Sequence, residues 1–435
     1  MSQPESIVSL PRTDVPVPLK AKPQRSAHAM VLSGSLIMLI SMMLVNLFNF
    51  SYNVVMARML GPAEFGHINA AVTILLMVSC VSLAFQLVCT KFVARNETTG
   101  GKAAVVRTLL SKAWIASLAM AAVLFLAQKP ISSYLNLPNH WMMGVLAIGI
   151  AAYAPLGVKR GAMQGVCVFP RLGGNYVLEA FTRFAVGAGL VVMGYGALGA
   201  VGAISAAVIA AYFLPRVPQQ LREKGEVGEP PSFAEALQAI VFFVGQVIIN
   251  NIDILLVKHF FPSDPAGIYA AVAQIGRLLY FAAWFGVVNA MFPVAAAAKD
   301  EQRKSHGIGL PLLLVFGIAI AFVLVASLFP HLIMGVIFGS RFVDIGWLLA
   351  LYAVATGLYS LCVVFIAYEM SRRIANTGWL QLMFSAALVL GIGLFHGSLL
   401  QVIIVRIVLM AILLVLVAVP FLRKHAAHAQ LAEAA

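Results

Sequence analysis

Charge is what this 435-residue chain has least of. Asp, Glu, Lys and Arg together make up 10% of it, 61% of its residues are apolar and its mean hydropathy is +0.95; an ordinary soluble chain is about 25% charged. Apolar runs of about twenty residues recur along the whole length instead of alternating with polar faces, which excludes a soluble all-helical protein. Cysteine is scarce as well. Cys80, Cys89, Cys167 and Cys362 show no metal-ligand spacing, so four free thiols are expected and neither a disulfide framework nor a zinc site is. A phosphate-cradling GxxxxGK(S/T) loop is missing, which excludes direct use of ATP by this chain. Nor is any connection long enough for a soluble catalytic module, and this counts against a polytopic glycosyltransferase or polysaccharide ligase. The formal net charge of +13 comes without a basic helix or an aromatic stacking platform, so nucleic acid is not the expected partner.

What is present is a series of long apolar segments. They fall at about 29–52, 67–90, 108–128, 141–158, 175–193 and 196–215, then 235–257, 267–294, 307–330, 345–368, 376–395 and 398–420. Short turns at 194–199 and 395–398 separate neighbours that would otherwise merge. The expected fold is therefore an all-α polytopic membrane protein of twelve transmembrane helices. Residues 1–28, rich in proline and polar groups, form a basic tail. A signal peptide is not expected there, because the following apolar segment exceeds an h-region and lacks a small-residue cleavage pattern. Residues 29–215 make a first six-helix bundle, 216–231 a charged linker, 232–422 a second six-helix bundle and 423–435 a second tail.

The basic residues orient the chain. Of its 29 Lys and Arg, 21 fall in the tails and in the loops after the even-numbered segments, whereas the opposite side has only Arg58, Lys129, Lys258 and Arg341. By the positive-inside rule both termini lie in the cytoplasm.

A repeat organises the two bundles. The run YNVVMARMLGPAEFGHINAAV at 52–72 returns as IDILLVKHFFPSDPAGIYAAV at 252–272. Asn53 matches Asp253, Arg58 matches Lys258, Pro62 matches Pro262 and, after one inserted residue, Gly66 matches Gly267. Each copy is a polar helix end, a basic turn with proline and a small-residue helix start. An even number of apolar segments separates the copies. Both therefore cross in the same sense, with a pseudo-two-fold axis along the membrane normal and a central cavity between the bundles.

The informative residues are the polar ones inside apolar segments, since a charge or amide in lipid is costly and needs a reason to be there. Glu179 and Arg183 lie four apart on one helix face and can pair. Arg277 and Arg406 have no acid at that spacing. A cavity-facing role is expected for Arg277, while Arg406 can equally snorkel towards an interface. Asn46, Asn49 and Asn53 form a stripe on the first segment, and Gln246, Asn250, Asn251 and Asp253 form another on the seventh. These stripes serve either as glue between helices or as cavity wall, and their matched places in the repeat favour the wall. Lys112, Asn69, Gln86, Gln274 and Asn289 are further candidates, while Pro155, Pro170 and Pro293 mark bends or helix ends.

The ARMLGPAEFG run at 57–66, the asparagine-bearing segment before it and the PRLGGNYVLEAFTRF run at 170–184 resemble the polysaccharide exporters and O-antigen flippases of the multidrug/oligosaccharidyl-lipid/polysaccharide superfamily. The similarity covers roughly residues 29–422. It implies a V-shaped pair of bundles that alternates between cytoplasmic and periplasmic access in a bacterial inner membrane. The implied cargo is a polyprenyl-pyrophosphate-linked oligosaccharide or exopolysaccharide precursor, and the implied partners are membrane lipids, a periplasmic polymerase and glycosyltransferases. In such a cationic cavity Arg58, Arg183, Arg277 and Lys112 are the groups able to meet a pyrophosphate. Relatives that carry lipid II have fourteen spans, so twelve count against that cargo. A cation-coupled multidrug or small-molecule exporter is the alternative, with Asp253 and Glu179 as the acids that would exchange a proton or Na⁺. No cofactor is expected, and proton gradient, sodium gradient and membrane potential all remain open as driving forces.

Overall fold

The computed structural model describes residues 27–214, 221, 233–282, 309–372 and 377–433. Most of the 216–231 linker, Asn289 and Pro293 lie outside the described residues. The first helices are α1 (Ala27–Leu60), α2 (Pro62–Arg95), α3 (Thr99–Leu126), the short α4 (Gln128–Tyr134), α5 (Trp141–Ala151), α6 (Tyr153–Gly165), α7 (Phe169–Val192) and α8 (Gly196–Phe213). They are followed by α9 (Phe233–Phe260), α10 (Ser263–Ala282), α11 (Gly309–Leu328), α12 (Pro330–Phe338), α13 (Leu348–Arg372), α14 (Thr377–Leu394) and α15 (Leu399–Glu433). Among the described residues there is no strand.

The helix ends follow from local chemistry. Gly61, at φ +83°, turns the chain between α1 and α2, and Pro62 opens α2 at a position whose N–H has no intrahelical acceptor anyway. Thr98 caps α3 by accepting from the Gly101 N–H at 3.1 Å. The fourth apolar segment is broken between α5 and α6 at Ala152. Pro155 explains the break, since its ring excludes the carbonyl of Ala151 and it has no N–H to donate. The backbone groups released there find partners on neighbouring helices. The Ala154 N–H donates to Ser117 Oγ at 2.9 Å, and Ser82 Oγ donates to the Tyr153 carbonyl at 2.8 Å.

Helices α1 to α8 pack chiefly on one another, as α1 on α7, α7 on α8, α5 on α8 and α2 on α6. The α2–α6 contact is close because Gly157 and Gly161 of α6 lie against the backbone of Ser82 and Gln86. From α9 onward the helices again pack mainly among themselves, α9 on α14, α13 on α11 and α15, and α10 on α13. The two groups meet along α2, which touches both α9 and α10. Large apolar side chains such as Leu39, Met43, Leu47, Leu126, Leu328 and Leu394 point outward and are exposed. An apolar exterior, with the polar side chains that lie within the helices turned inward among the core, is the arrangement a bilayer demands, and this is a multi-pass membrane protein.

Eight stretches among the described residues are long and apolar enough to cross a bilayer, against the twelve expected from sequence; in the second half these include Gly309–Leu328, Leu348–Ala367 and Leu399–Val419. Helices α7 and α10 fall outside that set, and they carry Glu179, Arg183 and Arg277.

Candidate functional site: a cavity between two helix groups

A cavity of about 170 Å³ lies between α1, α2 and α7 on one side and α9 and α10 on the other. Amides dominate its wall: Asn46, Asn49, Asn53 and Asn69 from the first group, Asn251 and Gln274 from the second. Gln274 ties the groups together, its Nε2 donating to Asn53 Oδ1 at 3.0 Å and Asn69 Oδ1 at 3.2 Å. The charged residues of the wall are two arginines, Arg183 and Arg277.

Each of these arginines rests on a buried acid that a second arginine also holds. Behind Arg183, Glu179 accepts from Arg183 Nη2 at 3.0 Å and from Arg160 Nη2 at 2.5 Å. Arg160 is buried, donates through Nε to Asn175 Oδ1 at 2.7 Å and lies 4.0 Å over the Tyr176 ring. Behind Arg277, Asp253 accepts from Arg277 Nη2 at 3.4 Å and from Arg406 Nη1 at 2.5 Å. The hydroxyls of Tyr269 and Tyr352 each donate to Asp253 Oδ2 at 2.9 Å, and Arg406 lies 4.7 Å from the Tyr352 ring centre. Asp253 and Arg406 are both 0% exposed. Each triad carries one acid and two guanidinium groups and so a net charge of +1, directed at the cavity because Arg183 and Arg277 are the members that reach its wall.

The expected site residues divide accordingly. Asn49, Asn53, Arg183 and Arg277 stand on the wall, with Glu179 and Asp253 immediately behind it. Asn250 does not reach the wall. It is buried among the second group and donates to the Gln246 carbonyl, while Asn251, one residue and about 100° further round α9, takes the cavity position. Lys112 is exposed on α3, at the edge of the side that buries Leu109, Ala113 and Ser117. Arg58 is exposed at one end of the molecule, where it donates to the carbonyls of Val336 and Ile337 at the end of α12. Neither residue lines the cavity. Arg406 does not snorkel, since Asp253 of α9 holds it in the interior; the acid that answers Arg277 is the same one, supplied by a different helix. Arg160, two residues beyond the end of the fourth apolar segment at about 158 and so expected in the loop that follows it, lies inside α6 because that helix runs to Gly165. The glycines at 157 and 161, four apart on one face, were the signal that the helix continues past Val158.

One end of the cavity is shut. Gly66 and Gly267 face each other there, and a Cβ on Gly66 would lie 3.1 Å from Gly267 Cα. Phe65 packs against Phe338 and Phe342 with ring centres 5.6 and 5.8 Å apart, and Asn136 Nδ2 donates to the His259 carbonyl at 3.0 Å. The glycines matched by the internal repeat thus meet at the contact between the helix groups.

A family model described as polysaccharide biosynthesis protein matches residues 55–346. The chain belongs to that family. Two uncharacterized Mycobacterium tuberculosis proteins, one from strain H37Rv and one from CDC 1551, are 24% identical to this polysaccharide biosynthesis family member over 283 residues, 62% of its length. The chain spans 65% of the length of these relatives. Among solved structures, the inward-facing conformation of a multidrug resistance MATE family transporter of the MOP superfamily is similar, with TM-score 0.73, 15% identity and coverage of 92% of this chain and 99% of that one. An outward-facing conformation of such a transporter matches with TM-score 0.57, 15% identity and coverage of 92% and 96%. A MOP superfamily transporter from Pyrococcus furiosus, described as having a binding pocket of reverse polarity, matches with TM-score 0.58 and 15% identity over 92% and 96%. The family member therefore has the fold of the multidrug/oligosaccharidyl-lipid/polysaccharide superfamily. Its all-α, multi-span architecture matches that of these solved transporters.

Proposed function

We propose that this protein is an alternating-access transporter that moves a polyprenyl-pyrophosphate-linked oligosaccharide or exopolysaccharide precursor from the cytoplasmic to the periplasmic leaflet of a bacterial inner membrane. The observation that carries this reading is the sign of the cavity. The charged groups on its wall are two arginines, set among six amides with Tyr52, Val72, Thr73 and Leu76, and both nearby acids are already answered by two guanidinium groups each. Paired guanidinium forks on opposite sides of a hydrated space suit a phosphate-bearing anion, and membership of a polysaccharide biosynthesis family supports a glycan as the rest of the cargo. The cavity in this state accommodates the charged group of such a cargo, with the glycan in the cleft towards the open end and the polyprenyl tail in lipid.

In the proposed architecture α7, α9, α10 and α14 complete twelve spans in two bundles. Both termini are cytoplasmic, so the shut end around Gly66 and Gly267 is periplasmic and the cleft opens inward. The better match to the inward-facing than to the outward-facing transporter supports this assignment.

The fold likenesses favour a second reading, a cation-coupled multidrug or small-molecule exporter, because the inward- and outward-facing neighbours are multidrug transporters. That mechanism requires an acid free to exchange a cation. Calorimetric titration of the purified full chain distinguishes the two. Inorganic pyrophosphate should bind in competition with salt, and Arg277→Gln should abolish the heat. Binding of a lipophilic cation that depends on Asp253, with no heat from pyrophosphate, would overturn the anion reading.

A further inference from the structure

Within each triad the two arginines are not equivalent, and the difference points beyond anion capture. Arg406 is sealed at 0% exposure, with Nη1 shared between Asp253 and Tyr352. Its Nε and Nη2 have no hydrogen-bond partner among the described residues, so the charge of Asp253 is what keeps it tolerable in the interior. Arg277, by contrast, reaches the wall, meets Asp253 at the longer distance of 3.4 Å and has an Nε that is likewise unpartnered. The same division holds in the first helix group. Arg160 is held at 2.5 Å and fixed by Asn175 and Tyr176, while Arg183 is held at 3.0 Å, reaches the wall, touches Asn49 and again has an unpartnered Nε.

We infer that Glu179 and Asp253 are internal competitor anions, each fixed by a sealed arginine, on which Arg183 and Arg277 are parked while the cavity holds no cargo. An entering anion takes each cavity arginine from its carboxylate, and the carboxylate remains compensated because Arg160 or Arg406 stays bound to it. On release the arginine returns. The carboxylates thereby set the affinity: they offset part of what the guanidinium groups gain from the cargo, and a carrier needs that loss to let its cargo go on the far side. Arg160 and Arg406 are positioning residues in this scheme, acting through the acids and never touching cargo. The inference rests on the anion reading above.

The test removes a competitor without leaving a buried charge alone. Asp253→Asn by itself strands Arg406, so the informative variant is Asp253→Asn/Arg406→Gln, which leaves the net charge unchanged and frees Arg277. The second variant, Glu179→Gln/Arg160→Gln, does the same for Arg183, and if one pair fails to fold the other decides. Each purified full-length variant is titrated with inorganic pyrophosphate, with its melting temperature measured in parallel. The double variant should bind about tenfold more tightly than the unaltered protein, an arginine–carboxylate contact having been removed from the competition. Unchanged or weaker binding by a folded double variant, with Arg277→Gln still abolishing binding, would overturn the parking inference and leave the anion reading in place. Absence of pyrophosphate binding in the unaltered protein and in every variant would overturn both.

Discussion

A single methyl group at Gly267 should change which face of the protein is open. At the shut end a Cβ on Gly267 would run into the Pro62 carbonyl, and one on Gly66 would lie 3.1 and 3.2 Å from Gly267 Cα and N. Both obstacles are backbone, which cannot rotate away as a side-chain tip can. To admit the alanine of Gly267→Ala the start of α2 must move off the start of α10, and this loosens Phe65 from Phe338 and Phe342. Overpacking a tight contact costs about 1–3 kcal/mol. Because the contact joins two helix groups, the cost falls on the state in which this end is shut, and the protein can relieve it by opening. The population of the shut state should therefore drop about 5- to 150-fold relative to the open one. The readout is labelling of a single cysteine at Asn69, on the cavity wall, by a membrane-impermeant maleimide applied from the turn side, in a background lacking the four native cysteines. Gly267→Ala should accelerate labelling at normal protein abundance, and Gly66→Ala should do so less. Gly189→Ala is the control, since nothing among the described residues lies within 4 Å of the added carbon. Equal labelling rates in Gly267→Ala and Gly189→Ala, at equal abundance, would refute the view that this glycine contact is the gate.

The remaining predictions concern charge, packing and topology. Arg160→Met leaves Glu179 with only the half-buried Arg183 and should cost about 1.5–3 kcal/mol, measured as a lower melting temperature, whereas the exposed Lys112→Met should stay within about 0.5 kcal/mol. Arg58→Ala removes the donor to the carbonyls at the end of α12; it should lower stability by about 1–2 kcal/mol and leave pyrophosphate affinity unchanged, and a lost affinity would return Arg58 to the binding site. Tyr52→Phe removes a buried hydroxyl that donates to the Ala200 carbonyl at 3.0 Å and should cost about 1 kcal/mol, read from thermal melts. In intact cells a cysteine at the exposed Ser133 should be labelled by an impermeant reagent and one at Glu226 should not, and the reverse pattern would invert the orientation.

Much of this protein could be read from its sequence because bilayer chemistry writes itself into composition. A backbone in lipid must satisfy its own hydrogen bonds, so long apolar helices and their glycine and proline ends at Gly61, Pro62 and Pro155 follow from one-dimensional pattern. The repeat was legible for the same reason, as was the Glu179–Arg183 pair, whose spacing of four residues lies within one helix. Contacts between helices carry no such period. Nothing in the spacing of residues 253, 277 and 406 shows that three separate helices bring them to one point, and only their packing decided that Arg406 is a sealed counter-ion rather than an interfacial side chain. The choice between Asn250 and Asn251 likewise depended on the rotation of α9 against its neighbours, because a helix advances about 100° per residue and adjacent amides face different surroundings. Arg160 was misplaced because apolarity ends at Val158, whereas the helix ends at Gly165. A charge inside a protein is tolerated where another charge meets it, and that meeting is a property of the tertiary structure.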